Sequence, residues 1–300
     1  MRAAALPWTH ALLAIAVIAV WGTNFVFIRV ALDHLPPLTL AAARFFLACA
    51  PAIFFIPRPP VPWRNLAAYG VLIGAGQFGL LFIAMHGHIS PGLASLVVQT
   101  QVFFTVALSM RLTGEKVRLF QIAALLLAGA GLAVIIARTD ADATPLGVGL
   151  VLCAALSWSG GNLVARATPG VNMLAYVVWG SLFSWPPLFV LALLIDGPAA
   201  AWSGIRHADL VTWGVVVWQS VGNSLFGYAA WGWLLSRHPA AVVSPMALLV
   251  PVFGMAASAA WLHESLPVWK LLAAGLVMAG LALNLFWPMV RRPALVIAEP

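Results

Sequence analysis

The feature that most constrains this chain is a series of apolar runs, each about as long as a bilayer is thick. Set against their polar interruptions, the runs fall near 8–32, 38–56, 66–86, 91–112, 118–137, 146–165, 172–195, 210–235, 240–262 and 268–289. A membrane-spanning helix needs about 20 apolar residues, and in lipid it survives because every backbone group is paired within the segment. The interruptions have turn chemistry: Pro57-Arg58-Pro59-Pro60, Thr113-Gly114-Glu115-Lys116, Arg138-Thr139-Asp140-Ala141-Asp142, Thr168-Pro169-Gly170 and Asp196-Gly197-Pro198. Composition agrees, since 8% of the 300 residues are charged and 63% are hydrophobic, against about 25% charged in a soluble domain. The expected fold class is an all-α membrane protein of ten transmembrane helices, with short connections and no soluble domain.

The net charge of +7 does not read as a nucleic-acid footprint, because no basic cluster is longer than Arg291-Arg292 and the cations are scattered between apolar runs. It reads as topology. With the N-terminus in the cytoplasm, ten of the 15 cations fall on that side: Arg2, Arg58, Arg64, Arg111, Lys116, Arg118, Arg166, Arg237, Arg291 and Arg292. Arg29, Arg138, Arg206 and Lys270 fall on the other, which places both termini inside by the positive-inside rule. Cys49 and Cys153 lie in apolar runs as small hydrophobes, and two cysteines supply neither a disulfide framework nor a zinc site. The apolar run after Arg2 continues past Trp21-Gly22 without a small-residue cleavage site, so it is expected to stay as the first span.

An internal repeat organises the chain. A shift of 149 places Ser95 on Ser244, Phe104 on Phe253, Glu115 on Glu264 and Ala130-Gly131-Leu132-Ala133 on Ala279-Gly280-Leu281-Ala282. A shift of 137 places Trp21 on Trp158 and Arg29 on Arg166, and Gly76-Gln77 matches Gly222-Asn223. Five helices per half is an odd number, so the second half must be inverted in the membrane, an architecture of secondary transporters. The expected units are 1–137, 138–290 and a cytoplasmic tail over 291–300.

On Trp21-Gly22-Thr23-Asn24-Phe25 with Arg29, Ala43-Arg44-Phe45, and Ser244 followed by Pro251 and Glu264, the chain resembles the ten-helix, two-repeat EamA-type branch of the drug/metabolite transporter superfamily. Within it the chain looks like the YddG-type exporters of aromatic and other amino acids. The resemblance covers about 1–290 and implies export from the cytoplasm of a bacterium, across its inner membrane, by alternating access through a central cavity. The second half departs from the first-helix pattern, with Ser159-Gly160-Gly161-Asn162 where the first has Gly22-Thr23-Asn24-Phe25, so equivalent substrate contacts from the two halves are not implied.

The chemistry the spans permit is narrow. No acid falls in the middle of a span, and His10, His34, His86, His88, His207, His238 and His263 all lie near span ends. Catalysis needs reactive groups at one depth, and proton-driven pumps commonly use an intramembrane carboxylate. The expectation is a transporter rather than an enzyme, without metal or cofactor, working by uniport or exchange. Its partners are a small-molecule substrate and the lipid bilayer, not nucleic acid, and it is expected as a monomer or weak homo-oligomer. Uncharged or zwitterionic metabolites, amino acids first, suit such a path; multidrug or sugar-like metabolite export and a membrane-embedded enzyme are the alternatives.

Candidate substrate contacts are the mid-span polar residues Asn24, Gln77, Gln99, Gln101, Asn162, Gln219, Asn223 and Ser244. In hydrocarbon an amide either bonds another helix or faces a wet cavity, and both readings stand for each. Gln99 and Gln101 are about 200° apart on a helix, so only one can face a central cavity. Arg44 is the cation well inside a span; it either holds the second helix in place, by helix-end carbonyls or a neighbour, or captures a substrate carboxylate. Trp158, Trp179 and Trp218 lie too deep for headgroup contact, so each packs in the wall or lines an aromatic cavity. Pro51, Pro186, Pro187, Pro245 and Pro251 interrupt helices and are expected as bending points of alternating access. Gly70/Gly74, Ala124/Ala128 and Gly275/Ala279 are expected at close helix contacts, and Glu115 and Glu264 as caps of the fifth and tenth spans.

Overall fold

A computed structural model describes residues 6–113, 118–138, 143–238 and 240–290. Nine helices there are long and apolar enough to cross a membrane: Trp8–Ala31, Pro37–Phe54, Trp63–Met85, Pro91–Arg111, Leu119–Ala137, Pro145–Arg166, Met173–Asp196, Pro245–Leu262 and Val268–Trp287. The run expected over 210–235 is also continuous helix, built from Leu210–Val217, a π-helical stretch Trp218–Phe226 and Gly227–Arg237. It does not join the nine because Gln219, Ser220, Asn223 and Ser224 interrupt its apolar character. In chain order this run is the eighth helix, with Pro245–Leu262 the ninth and Val268–Trp287 the tenth. No β-strand occurs among the described residues, where one isolated bridge joins Ile89 and Ala143.

Local chemistry explains the helix starts. Proline opens the helices at Pro37, Pro91 and Pro145, where a missing N–H costs nothing and the fixed φ suits the first turn. Thr144, Asn172 and Asp209 accept hydrogen bonds from the first-turn amides of Gly147, Leu174 with Ala175, and Thr212. One expected loop is not one: the connection after the seventh helix contains the helix Pro198–His207. Gly204 of that helix sits against Pro36 and the His34 carbonyl, so contact with the first connection orders it.

The first helix packs chiefly on the ninth, the fourth on the sixth and ninth, the third on the sixth and seventh, the second on the seventh, and the fifth on the tenth; the eighth lies against the first and second. Exchanging each helix for the one five places along carries this set of pairings onto itself. Irregular turns recur in the same way in two pairs of helices. The third and eighth helices carry π-helical stretches at Leu72–Gly79 and Trp218–Phe226, and the fourth and ninth carry 3-10 stretches at Val98–Thr100 and Ser244–Leu249.

Small residues set the closest crossings. A Cβ on Gly22 would lie 2.5 Å from Phe253 Cβ and 2.7 Å from the Val250 carbonyl, and one on Gly254 would lie 2.5 Å from Ser95 Oγ. Gly70 and Gly74 meet Gly180 and Ser184 of the seventh helix, and Ala124 and Ala128 meet Gly280 of the tenth. The expectation for Gly275 is corrected, because space around it is open. Van der Waals contact is a main attraction between helices in lipid, so these sites carry much of the packing.

Candidate functional site

Polar side chains of the second and eighth helices bond one another midway along these helices, and buried polar residues of the first and third lie on helices packed against that pair. Asn24, Arg44, Gln77, Gln219, Ser220, Asn223 and Ser224 are all buried. Ser220 Oγ donates to the Arg44 carbonyl at 2.8 Å, and Arg44 Nη2 donates to Ser224 Oγ at 3.1 Å, tying the second helix to the eighth. Ser224 Oγ donates to the Gln219 carbonyl at 3.0 Å. The Arg44 guanidinium lies over the Phe78 ring, 3.7 Å from its centroid, one residue after Gln77. Trp21 Nε1 donates to the Asn223 carbonyl at 3.2 Å and joins the first helix to the same stretch. The π-helical stretches hold Gln77, Phe78, Gln219 and Asn223; such turns reorder side chains along a helix and are frequent at functional sites.

Several polar atoms of this group have no partner. Asn24 Oδ1, Arg44 Nε and Nη1, Gln77 Oε1, and both amide atoms of Gln219 are buried without a hydrogen bond. A buried polar group left unpaired costs about 1–3 kcal/mol, and native structures keep few of them. Arg44 does not reach helix-end carbonyls; of its expected structural contacts, the one to a neighbouring helix is present, through Ser224 and Phe78.

The other sequence candidates sit elsewhere. Gln101 Oε1 accepts from Asn162 Nδ2 at 3.2 Å and from Thr105 Oγ1 at 3.3 Å, and Ser159 Oγ donates to the Gln101 carbonyl at 2.8 Å. The bonds from Asn162 and Ser159 hold the fourth helix to the sixth. For Gln101→Leu, Asn162→Leu and the double variant, a double-mutant cycle of unfolding in bicelles is expected to give a coupling of about 0.6–1.7 kcal/mol; additive losses would show that the pair is not made. Gln99 is buried on the 3-10 turn of the fourth helix. Trp158 is half-buried against the core. Trp179 Nε1 donates to the Ile56 carbonyl at 3.0 Å, past the end of the second helix. Trp218 is 36% exposed with its ring near Phe27, apart from the buried polar side chains of its own helix. Ser244 opens the 3-10 stretch of the ninth helix; its side chain lies outside the described set, as does Glu115. Pro51 precedes the turn Ala52–Phe54, Pro186 and Pro187 lie inside Met173–Leu191, Pro245 lies in the 3-10 stretch, and Pro251 is in the first turn of Val250–Leu262.

A second polar centre closes one end of the fourth, ninth and tenth helices. The Glu264 carboxylate accepts from Ser258 Oγ at 2.5 Å, Ser90 Oγ at 2.6 Å, Lys270 Nζ at 3.0 Å and the Gly92 amide at 3.1 Å. One expectation is corrected. Glu264 caps the fourth helix rather than the tenth, and its ion-pair partner Lys270 is fully buried. Burial pushes the carboxyl's pKa up, but the bonds from Ser258 and Ser90 and the Lys270 ammonium prevail and hold it below the ordinary carboxylate value.

Sequence reading missed Phe78, Ser220 and Ser224 as members of the central group. The serines had a signal: each lies one residue after an amide already singled out, within one polar stretch. Among the described residues no cluster of three or more His, Cys, Asp or Glu could hold a metal ion.

Apolar helices in number, tight crossings between them and a buried polar group define a multi-pass membrane protein. The EamA-like transporter family matches residues 8–137 and 145–286. A relative from Salmonella typhimurium, named "Probable amino-acid metabolite efflux pump", is 40% identical over 288 residues, 94% of this chain and 96% of the relative. One of the same name from Escherichia coli is 39% identical over 280 residues, 91% and 94% of the two chains. A solved crystal structure shares the fold, with TM-score 0.64 and 18% identity over 95% of this chain and 99% of the other. The chain belongs to the EamA-like transporter family.

Proposed function

We propose that the protein exports amino acids, aromatic ones included, from the cytoplasm across a bacterial inner membrane. The observation that carries this reading is the likeness, over nearly the full length of both chains, to two proteins named as amino-acid metabolite efflux pumps. The buried group of amides and one arginine supports it, because such side chains suit a zwitterion better than a multiply charged solute. Ten crossings in two inverted halves, 1–137 and 138–290, with both termini cytoplasmic, are the architecture we propose. In support, the helix pairings and irregular turns repeat at an interval of five helices, and the eighth helix, 210–237, is as long as the nine apolar ones. Its polar middle suits a crossing that faces a substrate path, not lipid.

The cycle is alternating access, with bending at Pro51, Pro186, Pro187, Pro245 and Pro251, and it is uniport or exchange. Counterflow in proteoliposomes with a panel of labelled amino acids tests it. Uptake of at least one member, unaffected by an imposed pH gradient, is the expected result. No uptake of any member would overturn the substrate class, and uphill accumulation driven by the pH gradient would overturn the coupling.

A further inference from the structure

We infer that Arg44 is the subsite for the α-carboxylate of the substrate, and that the side-chain oxygens of Asn24, Gln77 and Gln219 receive its α-ammonium. The inference rests on the amino-acid reading above and assigns that reading to atoms.

Arg44 is the starting point. Its side chain is 0% exposed at the middle of the second helix, and among the described residues no carboxylate pairs with it. A cation in that setting is costly unless something compensates it. The protein supplies part of the compensation. Phe78 covers a face of the guanidinium and Ser224 accepts from Nη2, while Nε and Nη1 keep their donors. The ring and the Ser224 bond hold the fork, and the second hydrogen on Nη2 with Nε or Nη1 leaves one edge open, where a planar fork grips a carboxylate at two points.

The acceptors complete the match. Three unpaired oxygens, Asn24 Oδ1, Gln77 Oε1 and Gln219 Oε1, equal in number the three N–H donors of an ammonium. They come from the first, third and eighth helices; the third and eighth pack on the second, and the first packs on the eighth. Gln219 precedes the serine bonded to the Arg44 carbonyl, Gln77 precedes the ring under the guanidinium, and Asn24 is one turn from Trp21, whose indole bonds the eighth helix. A zwitterion satisfies both sets at once. A neutral solute leaves the arginine unpaired, and an anion lacking an amine leaves the oxygens unpaired. All these atoms are shut off from solvent in this conformation, so substrate reaches them only when the helices part.

The test is competition in wild-type proteoliposomes. For each labelled amino acid carried in counterflow, the unlabelled free acid is compared with its carboxamide, which keeps the ammonium and the shape but loses the negative charge. The free acid is expected to compete at least about tenfold better. In Arg44→Gln that preference is expected to fall to about onefold, and in Arg44→Lys it is kept with a raised KM and little change in kcat. Equal competition by acid and carboxamide in the wild type, or an undiminished preference in Arg44→Gln, would overturn the assignment while leaving amino-acid transport in place. If Arg44→Gln does not insert, the wild-type comparison and Arg44→Lys decide the matter. Absence of counterflow for every amino acid would remove the substrate class and this subsite with it.

Discussion

Glu264→Gln is expected to lower the stability of the protein by about 3–5 kcal/mol, the usual penalty for breaking a buried ion pair by removing one partner. The carboxylate joins four groups from three helices and the connection between two of them: Ser90 and Gly92 at the start of the fourth helix, Ser258 of the ninth and Lys270 of the tenth. The glutamine keeps the shape but takes from the buried Lys270 ammonium the carboxylate that pairs with it at 3.0 Å. Lys270→Met in the same background is expected to recover most of the loss, because the buried charge that the carboxylate balanced goes too. Thermal unfolding of the purified variants in detergent checks both, and a double variant no better than the single one would show that the ion pair is not the cause.

The sign of the pH dependence follows. The folded carboxyl titrates below its ordinary value of 4.5, so ionised Glu264 binds protons less readily in the folded state than in the unfolded one. Its contribution is present in full above that value and is lost as pH falls through the lower folded pKa. Wild type is therefore expected to lose Tm on acidification below about pH 4.5, and Glu264→Gln to show that part of the slope flattened.

Gly22→Val is expected to be the second large effect, with transport lost although the chain still inserts. The new Cβ falls 2.5 Å from Phe253 Cβ and 2.7 Å from the Val250 carbonyl, and neither is the end of a flexible side chain that can swing away. Overpacking of this kind costs about 1–3 kcal/mol, and the relief available is to part the first and ninth helices. The ninth is itself pressed on Ser95 of the fourth through Gly254, so the displacement spreads to a third helix. Gly275→Val is the control. It makes the same chemical change in a long apolar helix where space is open, and its Tm and transport are expected to match wild type. Equal losses in the two variants would point to helix propensity rather than the crossing.

What was readable in advance depended on how local its cause is. The span limits were readable because bilayer thickness and hydrogen-bond closure act on each run by itself, and the expected 8–32, 91–112 and 146–165 differ by at most a residue or so from Trp8–Ala31, Pro91–Arg111 and Pro145–Arg166. The eighth helix was readable as helix, yet its polar middle sets it apart from the nine apolar ones. The amides were readable as a class, but their roles were not. Asn162 and Gln101 turned out to be partners in one bond, while Gln77 and Gln219 keep unpaired atoms. Those two outcomes differ only in which side chain a neighbouring helix presents, and a single sequence contains no record of that.

Sequence alone determined the class of protein, because a lack of charge and repeated apolar runs leave a chain no solvent but lipid. It also determined where polar chemistry was available, since so few polar residues lie at mid-span. Tertiary structure decided which of them meet. Arg44 and Ser224 are 180 positions apart, and Glu264 lies 172 from Gly92. Contacts over such distances are set by small residues that let particular helices approach, and by the partner each buried polar group then finds, which are properties of helix pairs rather than of any one run.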